Sequence, residues 1–126
     1  MRVSFLLLMF MRIGALIQVV VGIAMWTGHW YSLVDVHRTI GVLFVLALWG
    51  IAVIALVQRR SAGLAAFALL WGLIVAALGF MQQGILIGDL HWIVRVLHLV
   101  IAMASIPMAE RLAPKPIKAA SALTTA

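Results

Sequence analysis

The 126-residue sequence contains no cysteine and only three acidic residues. Without cysteine the chain can form neither disulfide bonds nor thiolate metal sites. Charged residues make up 10% of the chain and hydrophobic residues 67%, well outside the range of soluble domains. The mean hydropathy of +1.24 agrees with this composition. We therefore expect an integral membrane protein with no soluble domain.

Four apolar runs account for almost the whole chain. They cover about residues 5–26, 36–57, 64–86 and 90–109. Each is close to the roughly 20 residues that a helix needs to cross a bilayer. Because the runs are continuous rather than alternating, helices are favoured over barrel strands. The predicted fold is an all-α bundle of four transmembrane helices over residues 1–112, with a flexible basic tail over 113–126.

The positions of the cations predict the orientation in the membrane. They fall before the first run, between the second and third, and after the fourth. Lys and Arg concentrate on the cytoplasmic side, so both termini should face the cytoplasm, as expected for the inner (cytoplasmic) membrane. The net charge of +6 then reflects topology and lipid attraction, and we expect no nucleic-acid partner. These cations are Arg2, Arg59, Arg60, Arg111, Lys115 and Lys118.

The first run could also be a cleaved signal peptide, since Gly22 and Ala24 form a small-residue pair that a peptidase could read. The run is longer than an ordinary signal core, however, and it contains Arg12 and Gln18. A retained helix is therefore favoured.

The chain resembles itself at an offset of 54 residues, which pairs Asp35 with Asp89 and His37 with His91. The same offset aligns stripes of polar and small residues at helical spacing. We therefore predict two repeated helical hairpins with these stripes facing inward. In the first and third helices the stripes are Gln18, Gly22, Met25, His29 and Gly72, Ala76, Gly79, Gln83. In the second and fourth helices they are His37, Gly41, Phe44, Leu48 and His91, Arg95, His98, Ala102, Ser105.

Two of the four histidines are predicted to form an axial ligand pair for haem. Polar groups inside a membrane cost a few kcal/mol, so they normally face the bundle interior and carry a function. His37 and His91 each follow an Asp by two residues, which predicts equal depths near the extracytoplasmic surface. Two imidazoles at equal depth can hold a haem iron. The alternative is that both are interfacial residues that cap helix starts.

His98 is predicted to lie about 10 Å deeper than His91, at roughly 1.5 Å per residue. That depth makes it a poor partner for His37. It could instead ligate a second site, contact a quinone or be a hydrogen-bonded core histidine.

Basic and small residues near the two histidines fit a haem site. Arg95 lies one turn after His91, and Arg38 adjoins His37, so both could pair with haem propionates. Arg38 could instead only extend to the membrane surface. Gly41 and the other small residues either leave room for a planar ligand or allow close helix packing.

The remaining polar residues have simpler expected roles. Asp35 and Asp89 are expected to cap helix N-termini, with orientation of a histidine across helices as the alternative. His29 is expected in a loop. The expected interface anchors are Trp26, Trp30, Tyr31 and Trp92.

With these residues identified, the chain resembles one half of the haem A synthase family, over about residues 5 to 110. That family is built from two four-helix bundles, each with haem-ligand histidines on its second and fourth helix. The matching segments are VDVHRTIG, with His37, and GDLHWIVRVLH, with His91. This chain has half the family's length, and it lacks an outer cysteine pair and a clear catalytic Glu, Asp35 being the nearest carboxylate. The resemblance implies haem binding rather than hydroxylation of haem O.

These observations predict a membrane b-type cytochrome that exchanges electrons with quinol or a partner protein. With both axial positions filled, electron transfer is favoured over catalysis; if the chain is an enzyme, it is an oxidoreductase. The alternatives are an accessory or assembly subunit, a chlorophyll-binding antenna, and a half-size haem A synthase acting as a homodimer. The predicted iron ligands are His37 and His91, and the other predicted cofactor-binding residues are Arg95, Arg38, Gly41 and His98.

Overall fold

A computed structural model describes residues 2–114, and within that range the chain forms four long helices. They are α1 (Arg2–Trp26), α2 (Val34–Val57), α3 (Ala62–Met81) and α4 (His91–Leu112). Short 3-10 turns lie in the α1–α2 connection, at Tyr31–Leu33, and in the α3–α4 connection, at Gln82–Gly84. Both connections are at the opposite end of the bundle from the α2–α3 loop. Residues 2–114 contain no strand. All four helices are long and apolar enough to cross a membrane. The prediction of an all-helical, multi-pass membrane protein is confirmed, whereas the predicted tail lies outside the described residues from position 115 onward.

The third helix is shorter than its apolar run. It ends at Met81 and is followed by the Gln82–Gly84 turn and an extended Ile85. Leu86 and Gly88 then have φ angles of 47° and 99°, a left-handed conformation that interrupts helical hydrogen bonding. Hydropathy records composition and not backbone conformation, so the predicted span continued to residue 86.

Contacts between α1 and α4 close the bundle. Arg12 and Glu110 form an ion pair with 2.6 Å between Nη2 and Oε1. Nearer the other end, the Arg95 guanidinium lies 5.8 Å from the centroid of the Trp26 ring. The two helices therefore run antiparallel, so α1 begins at the end of the bundle where α4 finishes. Which side of the membrane that end occupies stays a prediction.

One half of the bundle is tightly packed. Its core lies towards the start of α1 and the end of α4, and it combines small alanines with fully buried larger side chains such as Met11, Leu48 and Ile51. Two indoles connect neighbouring helices here: Trp49 Nε1 donates to the Leu69 carbonyl and Trp71 Nε1 to the Ile101 carbonyl, both at 3.0 Å. The packed half holds the four helices in place around a cavity in the opposite half of the bundle, called the hollow half below.

Candidate functional site

The hollow half encloses a cavity of about 280 Å³ between the four helices. This volume is near the lower end of the roughly 300–1,000 Å³ typical of cofactor and ligand sites. Apolar side chains such as Phe44, Val45 and Val75 form much of its wall. All six residues predicted to contact a cofactor line this one cavity. They are His37, Arg38, Gly41, His91, Arg95 and His98.

Most members of the predicted inward stripes also line the cavity, and the exceptions are informative. Gly72 is buried against Trp49, while Leu48 and Ser105 are fully buried outside the cavity lining. His29 lies in the exposed connection after α1, where its Nδ1 is 3.3 Å from Thr27 Oγ1. It is thus a loop residue, as expected from its position near the end of the first apolar run.

His37 is held against α1 through its ring and its backbone. A Cβ added to Gly22 would lie 3.5 Å from His37 Cε1, so the imidazole packs over that glycine. Gln18 Nε2 donates a hydrogen bond to the His37 carbonyl at 2.8 Å. A Cβ at Gly41 would come within 3.0 Å of the same Gln18 nitrogen. The lack of a side chain at Gly41 therefore leaves space for this contact.

His98 has an equivalent position on the second hairpin. A Cβ added to Gly79 would lie 3.5 Å from His98 Cε1. Each of these two imidazoles thus packs over a glycine of the helix that precedes it in the chain. Packing therefore matches His37 with His98, whereas the 54-residue offset matches His37 with His91.

Contacts on α1 place His37 and His98 at a similar depth. Arg95 of α4 stacks on Trp26 of α1, so these two residues lie at a similar depth. One helical turn closer to the packed half, α4 reaches Leu99 and α1 reaches Gly22. Gly22 is the residue on which His37 packs. His98, next to Leu99, is therefore level with His37 to within about one turn.

Contacts on α3 lead to the same result. The Arg38 guanidinium lies 5.9 Å from the centroid of the Phe80 ring. Arg38 adjoins His37 in the sequence, and Phe80 adjoins Gly79, on which His98 packs. His98 is therefore not 10 Å deeper than His37, contrary to the expectation that its depth makes it a poor partner for that residue.

His91 lies closer to the outer end of the bundle. It is the first residue of α4, whereas His37 is the fourth of α2, so equal spacing from the two aspartates does not produce equal depth. His91 is about 10 Å from His98 along the axis of α4. Its Nδ1 lies 3.1 Å from the Ile85 carbonyl oxygen, so this nitrogen carries the proton and donates it. The assignment of His91 as an iron ligand stays a prediction.

Both level imidazoles lack a hydrogen-bond partner among residues 2–114. The Nδ1 atoms of His37 and His98 are fully buried and unpartnered, and so is Oε1 of Gln18. A buried polar group without a partner costs about 1–3 kcal/mol. Nε2 of neither ring is among these buried, unpartnered atoms, so Nε2 is the ring nitrogen with accessible surface. All three side chains line the cavity, although these three atoms are not themselves exposed to it.

The two arginines of the cavity differ in their partners. Arg38 is exposed and pairs with Asp35, with 3.3 Å between Nη1 and Oδ1. Arg95 is half-buried and has no carboxylate partner within residues 2–114, its contact being the Trp26 ring. An arginine inside a membrane span normally has a partner. Arg95 is therefore the cation available to an acidic ligand.

The aspartates do not cap helices as expected. The N-caps of α2 and α4 are Leu33 and Leu90, and neither helix start has a side-chain cap. Asp35 lies inside the first turn of α2 and pairs with Arg38 instead. Asp89 is exposed before Leu90. Both capping predictions are therefore wrong, because each helix begins at a different residue from the one inferred.

Within residues 2–114 no group of three or more His, Asp or Glu side chains could hold a metal ion; a haem iron needs only two axial protein ligands. No family model matches the sequence, and no curated protein or solved structure matches it either. The resemblance to half of a haem A synthase stays a prediction.

Several contacts that shape the site were not predicted from the sequence. One of them is the hydrogen bond from Gln18 to the His37 carbonyl. The presence of a glutamine within an apolar run is the sequence signal that could have indicated this contact. The Arg12–Glu110 ion pair and the two indole bonds in the packed half are others. All of them join residues distant in sequence, and no periodicity marks such pairs.

Proposed function

We propose that the protein is a membrane b-type cytochrome whose cavity binds haem b, with His37 and His98 as axial ligands. The observation that carries the proposal is the pair of level imidazoles, which come from different helices and have no hydrogen-bond partner among residues 2–114. Bis-histidine haem proteins need two such imidazoles.

The residues present fit the group. The two imidazoles pack over Gly22 and Gly79, and apolar side chains line much of the cavity. Each imidazole has Nε2 available for the iron, since Nδ1 is buried. When bound, haem b supplies one-electron redox chemistry, which this side-chain set does not provide by itself.

The arginines and His91 have secondary roles in this proposal. Arg95 pairs with a haem propionate, because carboxylates form strong charge-assisted bonds with guanidinium groups. Arg38 contributes less, since Asp35 already accepts from it. His91 anchors the start of α4 to the Ile85 carbonyl and faces the outer part of the cavity.

Electron transfer is the function that this ligand set favours. With two protein ligands on the iron, oxygen or substrate would have to displace one of them. We infer quinol or a partner protein as the redox partner, and a homodimer or a larger complex as the assembly. The bundle is then built from two repeated hairpins in the inner membrane, with both termini cytoplasmic as the cation distribution favours.

Visible spectra of the purified protein in detergent test the ligand assignment. Protein from haem-replete cells should show a Soret band and sharp reduced α and β bands. His37→Ala and His98→Ala should each abolish the low-spin spectrum, whereas His91→Ala should retain it. His29→Ala is the matched control, since that histidine lies in an exposed loop outside the cavity.

Other results would exclude the proposal in distinct ways. A colourless wild-type protein would exclude haem binding, and a far-red band would indicate a chlorophyll-type pigment. A spectrum lost in His91→Ala but retained in His98→Ala would restore the pair expected from the 54-residue offset.

A further inference from the structure

Arg12 and Glu110 form an ion pair on the outer surface of the bundle, and neither residue lines the cavity. Nε and Nη2 of Arg12 donate to Glu110 Oε1 at 3.2 and 2.6 Å. The two side chains nevertheless remain 48% and 42% exposed. Of the three acidic residues in the chain, only Glu110 lies in the packed half. One positive and one negative charge therefore lie side by side on a surface that residues 2–114 leave open.

This ion pair lies within the α1 span rather than at its end. Arg12 is the eleventh residue of α1, about 15 Å from the helix start at roughly 1.5 Å per residue. The hydrocarbon core of a bilayer is about 30 Å thick. Ionisable residues at such a depth almost always face the interior of a protein or a water-filled cavity. We therefore expect another protein surface to cover the pair.

The ion pair also leaves hydrogen-bonding capacity unused. Both of its bonds end on Oε1, whereas an arginine and a carboxylate often pair through two parallel bonds to both oxygens. Oε2 of Glu110 and Nη1 of Arg12 have no partner among residues 2–114. A cation and an anion that each have an open position are complementary to a surface with the same two charges in the opposite order.

We propose that the α1–α4 surface around this pair is a homodimer interface, in which Arg12 of each copy binds Glu110 of the other. Two copies inserted in the same direction are related by a two-fold axis along the membrane normal, which keeps every residue at its depth. Arg12 and Glu110 share a depth because they are in contact. The rotation therefore brings each charge beside the opposite charge of the second copy, in a ring of alternating signs.

Apolar side chains continue this surface along α1. Ile13, Leu16 and Val20 follow Arg12 and are all exposed in the single chain. Helices in a bilayer associate through close packing as well as through polar contacts. These side chains are placed to pack against the second copy beside the charged ring. The interface goes beyond the proposed function and does not depend on haem binding.

Charge-reversed chains test the interface. Arg12→Glu leaves two acidic groups on the surface and Glu110→Arg leaves two basic groups, so neither chain keeps the internal ion pair. Native mass spectrometry of the full chain in detergent should show the wild type at twice the chain mass of 13.7 kDa. Each variant alone should appear at the single mass. When the two variants are co-expressed with different affinity tags, they should form a dimer with one copy of each.

Recovery of a dimer from two monomeric variants is specific to pairing between copies, because the internal ion pair is absent from both chains. A monomeric wild-type protein would overturn the inference. So would reversed chains that dimerise alone like the wild type, or that stay separate when they are co-expressed. A wild-type chain bound to a different membrane protein in place of its second copy would also overturn it.

Cross-linking with the native charges retained covers the case in which the reversed chains do not fold. The chain has no cysteine, so only an introduced thiol reacts. Leu16→Cys lies on the proposed interface, and Leu73→Cys on α3 is the matched control, since these side chains are 71% and 56% exposed. A short bis-maleimide added to membranes should join Leu16→Cys chains into dimers and leave Leu73→Cys chains single. Equal cross-linking of both variants, or none of either, would contradict the interface, whether or not the protein binds haem.

Discussion

Arg95 has the least compensated charge in the cavity. Among residues 2–114 the ion pairs are Arg12 with Glu110 and Arg38 with Asp35, so these two arginines each have a carboxylate partner. Arg95 has the face of an indole instead. A cation–π contact compensates a guanidinium only in part. An acidic group of a bound ligand would give Arg95 the kind of partner that Arg12 and Arg38 already have.

A binding experiment follows from this difference between the two cavity arginines. Arg95→Gln should weaken haem binding about 10- to 100-fold, because a hydrogen bond to a charged group contributes about 1.5–3 kcal/mol. Arg38→Gln should weaken it less than about fivefold, since an exposed, already paired arginine contributes little. Titration of the apoprotein with haemin, followed at the Soret band, measures both affinities. Equal losses in the two variants would contradict the assignment of Arg95.

At the scale of the helices, glycines have two separate uses in this bundle. Gly22 and Gly79 lie under imidazoles, and a Cβ added to either glycine would be at an ordinary van der Waals distance from the ring. Gly72 instead packs directly against the Trp49 indole, whose Nε1 is bonded to the Leu69 carbonyl. A side chain at that glycine would have to displace a ring that is held in place. One group of glycines therefore shapes the cavity, and the other allows α2 and α3 to pack closely.

Substitution of Gly72 should therefore destabilise the bundle. In Gly72→Ala the new Cβ would collide with the Trp49 ring, and overpacking of this kind typically costs about 1–3 kcal/mol. Gly63→Ala is the matched control in the same helix, because its Cβ would meet nothing within 4 Å. Alanine's higher helix propensity should leave that variant unchanged or slightly more stable. Thermal unfolding in detergent, followed by circular dichroism, compares them, and equal midpoints would contradict the packing role of Gly72.

At the scale of the whole molecule, the bundle has a packed half and a hollow half. The packed half lies where α1 begins and α4 ends, and the cavity lies towards the α1–α2 and α3–α4 connections. Arg2 at the start of α1, Arg59 and Arg60 after α2, and Arg111 at the end of α4 lie at the packed end. If that end is cytoplasmic, the proposed haem site would lie in the outer half of the membrane, on the side from which quinol or an extracytoplasmic protein could approach it.

The absence of cysteine allows a direct test of this orientation. Single cysteines introduced at Ser61 and Thr27, in loops at opposite ends of the bundle, can be labelled without background from other thiols. In intact cells a membrane-impermeant maleimide should label Thr27→Cys and leave Ser61→Cys unlabelled. Permeabilised cells, in which both should react, provide the control. The reverse pattern in intact cells would place the cavity in the cytoplasmic half of the membrane.

Sequence patterns anticipated much of the cavity. The stripes that contain Gln18, Gly22 and Gly41 were identified from spacing alone, because a helix places residues three and four apart on one face. The depth of His91 was not predicted correctly, because spacing from an aspartate does not reveal where a helix begins. The contact of Gln18 with the His37 carbonyl was missed because it joins two helices.

The sequence by itself determined that this chain forms four membrane-spanning helices, because the length and composition of an apolar run are sufficient for that conclusion. It also determined which faces of the helices carry polar and small residues. Only the tertiary structure decided which imidazoles share a depth. That relation depends on where each helix starts and on the glycine over which each ring packs, and neither is encoded in the spacing between histidines along the chain.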